Sequence, residues 1–529
     1  MLACYNTPEY TSTMNLWRLL TLLALAFTLI SSCALSDDKP KQDYWMGVYY
    51  GKSKIGSYHV VLSKDTTDQS AGWLRSENLI VRFKTSGKTY SWTYSRTVHA
   101  DSMFGPISED VGTGYKDSTM SADDMTLYQV KFGVNEEKIT AFHGQETYER
   151  KVPLDDESRS YIAKGCSFDL GGTKLSVGQR FDVYHMIPEM SILPKTHMEA
   201  NTRTNEVCVL RRESITVGGS AYQTLVLSER GQNNDIVTWL TDDGEIVKRE
   251  MPKSHLLWLR QSKTEAPLVE GEEALVQDVA KAEIPKDADK RFNGKSPAPL
   301  DYWLGVYVKS VKMGDLHVVA KPTKLDGKDV FCKEETLRTR VNDDKHTDVE
   351  MIRRLYADSQ FRPILETLDA RGTDEIKASK PASRLMSCRY GADSTSATVT
   401  NDGKDSTHSA PFSDEDKYFA STGCAYDFGV CPLTAGNRLD LHHTLLKFEP
   451  GLTSVGTTTK STSVVVLPAE KLDIDGVTYD TVVVSETDES GYTTTTWQKA
   501  SGEIVKMDVR GTGVTLRQET KEQASSKAN

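Results

Sequence analysis

The sequence predicts a mainly β protein with two homologous domains, each a large curved antiparallel sheet, half-barrel or sandwich-like, with one or two short helices. The first observation is a duplication within the 529 residues: "DYWMGVYYGKSKIGSYHVV" from Asp43 returns as "DYWLGVYVKSVKMGDLHVV" from Asp301, identical at 11 of 19 positions. The second is a run of short segments rich in β-branched and aromatic residues, such as "SYHVVLS" and "TYSWTYSRTV", separated by Gly, Asp, Asn or Ser.

The duplication extends over a whole domain. The same residues recur 258 positions later, and "GEIVK" and "LRQ" close both copies. A period of this length lies outside the range of solenoid repeats, which is about 20 to 50 residues. The recurring residues are Trp45, Cys166, Gly178, Arg180, Asp182, His185, Trp239 and Gly244, matched by Trp303, Cys424, Gly436, Arg438, Asp440, His443, Trp497 and Gly502.

The domain boundaries follow from the repeat. Residues 1–33 form the N-terminal leader, 34–266 the first repeat, 267–300 a charged linker that contains Pro and Ala, and 301–529 the second repeat. The linker has a modest helical stripe around Leu275, and we interpret it as a solvated spacer.

Two segments favour helices within the strand-rich repeats. Asp155 to Gly165 and Ser413 to Gly423 each follow a Pro, carry acidic residues in the first turn and reach a Gly. The segment "DVEMIRRLYADSQFRPILETL" has a helical composition, but its counterpart in the first repeat is typical of strand and turn, so strand is predicted for both.

The leader has the pattern of an export signal. Leu19 to Ile30 is an apolar run too short to span about 30 Å of hydrocarbon. It ends in "ISSC", which resembles the lipobox of bacterial lipoproteins. The resemblance implies acyl chains on Cys33 and, because Ala34 follows, an outer-membrane protein facing the periplasm. Met14 is an alternative start, and an ordinary secretory signal cut near Ala34 is the alternative to lipidation.

Composition excludes one class of partner. The net charge is −11, and no stretch concentrates Lys and Arg. The electrostatic footprint of a nucleic-acid-binding protein is therefore missing.

Six cysteines follow the lipobox, and an even number in an exported protein predicts disulfides. If no bridge joins the two repeats, Cys166 pairs with Cys208. The four cysteines of the second repeat allow three connectivities, of which we favour Cys332 with Cys388 and Cys424 with Cys431.

The same residues define the alternative hypothesis of an enzyme. Cys166 and His185 lie 19 residues apart, as do Cys424 and His443, and a Cys-dependent hydrolase or transferase would use this pair of residue types. A bridging role is favoured for Cys166 because Cys208 is available in the same repeat.

Neither a metal nor a cofactor is predicted. His442 and His443, with Cys424 and Cys431, are metal-binding residue types, but adjacent residues on a strand point to opposite faces.

Polar residues on one strand of each repeat are candidates for contact with a ligand's polar head. In "G-x-R-[FL]-D", Arg180 and Asp182 share a strand face, as do Arg438 and Asp440, and each pair is alternatively a rim ion pair.

His59 is assigned to the strand face of Ile55, and its counterpart His317 to the face of Met313. We interpret both histidines as satisfied cross-strand residues.

The opening strand, the later "W-x-x-x-x-G-E-I-V-K" and the closing "LRQ" together resemble β-rich modules of bacterial exported proteins found upstream of transglutaminase-like domains. Those modules are similar to the curved-sheet fold of periplasmic lipoprotein carriers. The resemblance covers about a third of each repeat, and it implies no catalytic residues because no transglutaminase-like domain follows Ala524.

The expected function is that of a membrane-anchored envelope lipoprotein. It would act as a non-catalytic binding or scaffold module for an apolar or amphipathic ligand, or for an envelope protein.

Overall fold

The structure is a computed structural model that describes most of both repeats. The described residues are 41–65, 72–85, 88–117, 124–144, 146–188, 200–231, 234–251, 254–267, 274–275, 297–341, 347–373, 376, 383–401, 404–448, 455–487, 493–510 and 512–525. The predicted leader and Cys33 lie outside them. The chain divides into two units between Lys281 and Ala282, inside the predicted linker.

Fourteen strands of the first unit form one antiparallel sheet in the order β8-β7-β6-β5-β4-β3-β2-β1-β14-β13-β12-β11-β10-β9. The strands are β1 (Gln42–Tyr50), β2 (Ser53–Asp65), β3 (Gly72–Thr85), β4 (Lys88–Ala100), β5 (Pro106–Asp117), β6 (Asp124–Phe132), β7 (Glu136–His143), β8 (Glu146–Pro153), β9 (Arg180–Pro188), β10 (Ala200–Val217), β11 (Ser220–Gly231), β12 (Asn234–Leu240), β13 (Ile246–Met251) and β14 (Leu256–Gln261). Helix α1 (Asp156–Asp169) connects β8 to β9, the two edge strands.

A short strand of the linker, β15 (Ala274–Leu275), pairs in parallel with β3. This part of the linker is therefore docked on the first sheet, and the prediction of a solvated spacer is wrong for it.

The second unit repeats this topology strand for strand, in the order β23-β22-β21-β20-β19-β18-β17-β16-β29-β28-β27-β26-β25-β24. Its strands are β16 (Leu300–Val308), β17 (Val311–Leu325), β18 (Lys328–Val341), β19 (Thr347–Ala357), β20 (Pro363–Gly372), β21 (Ser383–Tyr390), β22 (Ser394–Asn401), β23 (Lys404–Pro411), β24 (Arg438–Phe448), β25 (Val455–Ile474), β26 (Val477–Thr487), β27 (Thr493–Gln498), β28 (Ile504–Val509) and β29 (Val514–Glu519). Helix α2 (Asp414–Asp427) corresponds to α1, and α3 (Lys521–Ser525) ends the described chain. The mainly β prediction is confirmed, and the segment of ambiguous composition forms β19 and β20.

One end of α1 contacts strands that are far apart in the first sheet, which shows that this sheet is curved. Cys166 and Leu170 pack with Val98 on β4, while the ring of Phe168 lies 5.7 Å from that of Phe181 on β9. Nine strand spacings separate β4 from β9, which would be about 43 Å in a flat sheet. We call the face that carries the helix and the main apolar cluster the concave face, and the opposite one the convex face.

Both helices begin where the sequence predicts and end later. The Asp155 side chain accepts from the Ser158 amide, and Ser413 forms a capping box with Asp416. Each helix continues past its predicted end, Gly165 in the first case, because that glycine is buried and the next turn packs on the concave face.

The duplicated opening motif alternates between the two faces of the sheet. Tyr44, Met46 and Val48 join the concave apolar cluster, whereas Trp45 faces outward and stacks on His59 at 3.9 Å. His59 accordingly contacts Trp45 across the strand pair.

The predicted shared face of His59 and Ile55 is wrong. The pairing of β1 with β2 shifts at a bulge between Val48 and Tyr49, and Ile55 is buried in the concave cluster. An extra residue in one strand inverts the alternation of side chains on either side of it.

The glycine of each "GEIVK" motif meets the end of a helix. Gly502 has φ +88° and lies against Gly429, which follows α2, so a Cβ on Gly502 would approach the Gly429 Cα to 2.6 Å. Gly244 and Gly171 form the corresponding contact in the first repeat. The turn between β27 and β28, like that between β12 and β13, therefore contacts the helix end so closely that only glycine fits there.

Candidate functional site

The concave face of the first repeat has an aromatic wall at one end, which we call the aromatic end: Phe83, Tyr90, Trp92 and Tyr115 on β3, β4 and β5. Ring centroids lie 5.4 Å apart for Phe83 and Tyr90, and 5.1 Å apart for Trp92 and Tyr115. These are distances at which aromatic pairs attract each other. The wall continues into the apolar cluster through Leu79 and Val81.

The wall contains a buried polar atom, the indole Nε1 of Trp92. Trp92 is 6% exposed, and its buried indole Nε1 has no hydrogen-bond partner among the described residues. A buried donor without an acceptor costs about 1 to 3 kcal/mol.

The second repeat lacks the aromatic end, although its strands pair in the same register. Val81 pairs with Trp92 and then Tyr115 across three strands, and the equivalent row is Thr339, Val349 and Gly372. The next row, Phe83 with Tyr90, corresponds to Val341 with Thr347.

A buried ion-pair network occupies the concave face between the aromatic end and α1. Glu77 accepts from Arg75 at 2.5 Å and from the Tyr58 hydroxyl at 2.6 Å. Arg96 donates to Glu109 at 2.7 Å and to Asp169, the last residue of α1, at 2.8 Å. The network therefore joins four strands, β2 to β5, to the helix.

The carboxylate of Glu77 is ionised at neutral pH. Burial alone would raise the pKa of Glu77, but the charges of Arg75 and Arg96 outweigh it and hold that pKa below its usual value. Arg75 also donates to the Asp169 main-chain carbonyl, which places a cation at the helix C-terminus where the dipole favours it.

The second repeat retains the ion pairs of this network with one conservative change, while Leu316 replaces Tyr58 and its hydroxyl. Lys333 takes the place of Arg75 and lies 2.8 Å from Glu335. Arg353 donates to Glu366 at 2.7 Å, and its guanidinium lies 3.5 Å from Asp427 of α2. Burial would lower the pKa of Lys333, but the adjacent carboxylates raise it. Because both repeats use it to hold the helix, the network is a structural element of the fold.

Glu137 on β7 is a buried acid outside this network. It is 0% exposed, and neither carboxylate oxygen has a hydrogen-bond partner within the described residues. Burial raises its pKa to about 7, Glu109 adds to the rise, and Arg150 opposes it. Thr395 occupies the equivalent position in the second repeat.

The predicted head-group residues lie on the convex face. Phe181 and Val183 point into the concave cluster, so Arg180 and Asp182 point away from it. The same holds for the second repeat, where Arg438 donates to Asp440 at 2.9 Å. None of these four residues lines the concave face.

None of the three favoured disulfides forms, since all six cysteines carry thiols. Cys166 packs on the concave side with Leu62 and Val98, whereas Cys208 alternates with two residues of the concave cluster and therefore faces the convex side. The sheet separates the two thiols. The prediction of this bridge is wrong because spacing along the chain does not specify the face of the sheet.

The bridge between Cys332 and Cys388 is excluded by strand order. Cys332 lies on β18 and Cys388 on β21, three strand spacings apart, which is about 14 Å. A disulfide needs Cα atoms within about 7 Å. Cys424 and Cys431 also form no disulfide, although only seven positions separate them.

The candidate nucleophile is a protonated thiol. Burial, with a contribution from Asp169, raises the pKa of Cys166 to about 12, and burial raises that of Cys424 well above its usual value. A nucleophilic cysteine needs a thiolate near neutral pH. The side chains of His185, His442 and His443 lie outside the described part of the structure.

Within the described ranges, no three His, Cys, Asp or Glu side chains are grouped as metal ligands. The helices of those ranges include none long and apolar enough to cross a membrane.

Sequence reasoning missed the network, the aromatic end and Glu137. A signal for the network was present, because Glu77 and Asp169 recur at 258 positions as Glu335 and Asp427. The residues of the aromatic end differ between the repeats, and a search for identical residues does not detect such a difference.

No protein-family model matches the chain, and no curated protein matches it. Among solved structures, it is similar to one titled "Crystal Structure of Beta-barrel-like Protein of Domain of Unknown Function DUF1849 from Brucella abortus". The identity is 8% and the TM-score 0.29, and the match covers 41% of this chain and 96% of the other.

Proposed function

We propose that the chain is a membrane-anchored envelope lipoprotein that acts as a non-catalytic binding module, and that a concave face holds an apolar or amphipathic ligand. Acyl chains on Cys33 would attach it to the outer membrane, facing the periplasm. The observation that carries the proposal is a curved sheet that encloses a cluster of buried aromatic and aliphatic side chains on its concave side. Ligand sites have this predominantly apolar lining with few polar groups.

The thiols support binding over catalysis. An enzyme built on Cys166 would need its thiolate, and burial opposes that form. The network offers no reactive group either, because its carboxylates are engaged by Arg75, Arg96 and their counterparts.

Native mass spectrometry of the protein purified from membranes tests the proposal. We expect an acyl mass on the N-terminal peptide and a co-purifying apolar or amphipathic molecule. Cys33→Ala should abolish the acyl mass and release the chain from the membrane fraction. A wild-type protein with neither added mass nor bound molecule contradicts the proposal.

A thiol-labelling control addresses the enzyme alternative. Iodoacetamide at neutral pH should label Cys166 only after unfolding. Rapid labelling of Cys166 in the native protein would instead favour a nucleophile.

A further inference from the structure

We propose that the ligand binds in the first repeat alone, at its aromatic end, and that the ligand is an amphiphile whose head accepts a hydrogen bond from Trp92 Nε1. This inference rests on the proposed binding function and specifies the repeat, the position and the ligand chemistry.

The two repeats provide an internal comparison. They share strand order, register, the helix and the ion-pair network. Where the first repeat has Phe83, Tyr90, Trp92 and Tyr115, the second has Val341, Thr347, Val349 and Gly372. The second repeat forms the same sheet without any of these rings, so the fold does not require them. A set of rings that the fold does not require, gathered on one concave face, indicates a binding role.

The indole of Trp92 supplies the polar part of the recognition. Its Nε1 donor is buried beside the ring of Tyr115 and has no acceptor among the described residues. Buried polar groups are normally paired, and an acceptor brought by a ligand would recover that hydrogen bond. Phe83 and Val81 belong to the same buried apolar cluster, so a ligand group beside them would be apolar. An apolar tail with an accepting head, such as a carboxylate, matches both features.

Photo-crosslinking of the full chain in its own membranes tests the inference. The probe is a palmitate analogue with a diazirine in the chain, and crosslinked peptides are mapped by mass spectrometry. We expect adducts on β3, β4 and β5, none on β18, β19 and β20, and loss of the adducts when excess palmitate is added.

Two substitutions isolate the indole donor. Trp92→Phe keeps a ring but removes the donor, and crosslinking at sub-saturating probe should fall about 5- to 10-fold, as one hydrogen bond of about 1 to 1.4 kcal/mol predicts. Trp92→Val copies Val349 and should fall further. Val349→Ala is the matched control in the second repeat and should leave crosslinking unchanged. Protease resistance verifies that each variant is folded.

The outcomes separate the two proposals. No specific adduct on the wild type would overturn the binding function, and this inference with it. Specific adducts that occur equally on both repeats, or that persist in folded Trp92→Phe and Trp92→Val, would overturn only the present inference, and the donor would then be satisfied by water.

Discussion

Replacing Glu137 by Gln should change how the stability of the first repeat depends on pH. The carboxyl is 0% exposed and without a hydrogen-bond partner among the described residues, and its pKa is raised from 4.5 to about 7. Each unit of pKa difference between folded and unfolded states corresponds to about 1.4 kcal/mol. The wild type therefore loses about 3 kcal/mol of folding free energy as this group ionises.

The direction follows from the raised pKa. Below about pH 4.5 the carboxyl is protonated in both states and burial costs little. As the pH rises to about 7, the unfolded chain releases its proton first, so stability falls. Glu137→Gln removes this titration. The variant should gain about 3 kcal/mol relative to wild type between about pH 4 and about pH 8, whatever constant offset the amide introduces.

Urea unfolding of the first repeat measures the effect, read by a short thiol-labelling pulse at fixed pH on buried Cys208. Glu149→Gln, an exposed acid on neighbouring β8, is the matched control. The difference in unfolding free energy between Glu149→Gln and wild type should not vary with pH. If the Glu137→Gln and wild-type stabilities run parallel across this range, the buried-carboxylate reasoning is refuted.

Three further predictions concern the second repeat. In thermal unfolding, Gly502→Ala should lower the stability of the second repeat by clearly more than Gly327→Ala does. Both glycines have positive φ, but only Gly502 is closely packed where a Cβ would lie, so equal losses would contradict the helix contact. Cys332 and Cys388 should both be alkylated in denatured, unreduced protein, whereas a disulfide mass would contradict the strand order. Arg353→Met removes the cation shared by buried Glu366 and partly buried Glu335 and Asp427, and urea unfolding should show a loss of about 3 to 5 kcal/mol in the free energy of unfolding. A loss under about 1 kcal/mol would mean that the network is not a stabilising element.

Local sequence signals predicted the elements of this fold well. β-branched and aromatic segments formed strands, and the caps at Asp155 and Ser413 begin the two helices as predicted. The helix ends were misplaced because a glycine in a buried turn does not terminate a helix when the next turn packs. Gly165 is such a residue.

The predicted sites were less accurate, for a physical reason that the cysteines illustrate. Sequence spacing gave Cys166 a partner in Cys208, but the two residues face opposite sides of the sheet. A bulge similarly moved Ile55 to the face opposite His59. The alternation of side chains predicts the face of a strand residue only within a regular stretch, because one bulge inverts the alternation beyond it.

The sequence by itself determined the duplication, the mainly β class and the strands, since these depend on identity and on periodicity within a few residues. The tertiary structure alone decided which charges meet. Arg96 reaches Asp169 although 73 residues separate them, and β1 pairs with β14 across the whole repeat. Such neighbours follow from strand order and curvature. Both depend on packing and hydrogen bonding over the whole repeat, so no short stretch of the chain encodes them.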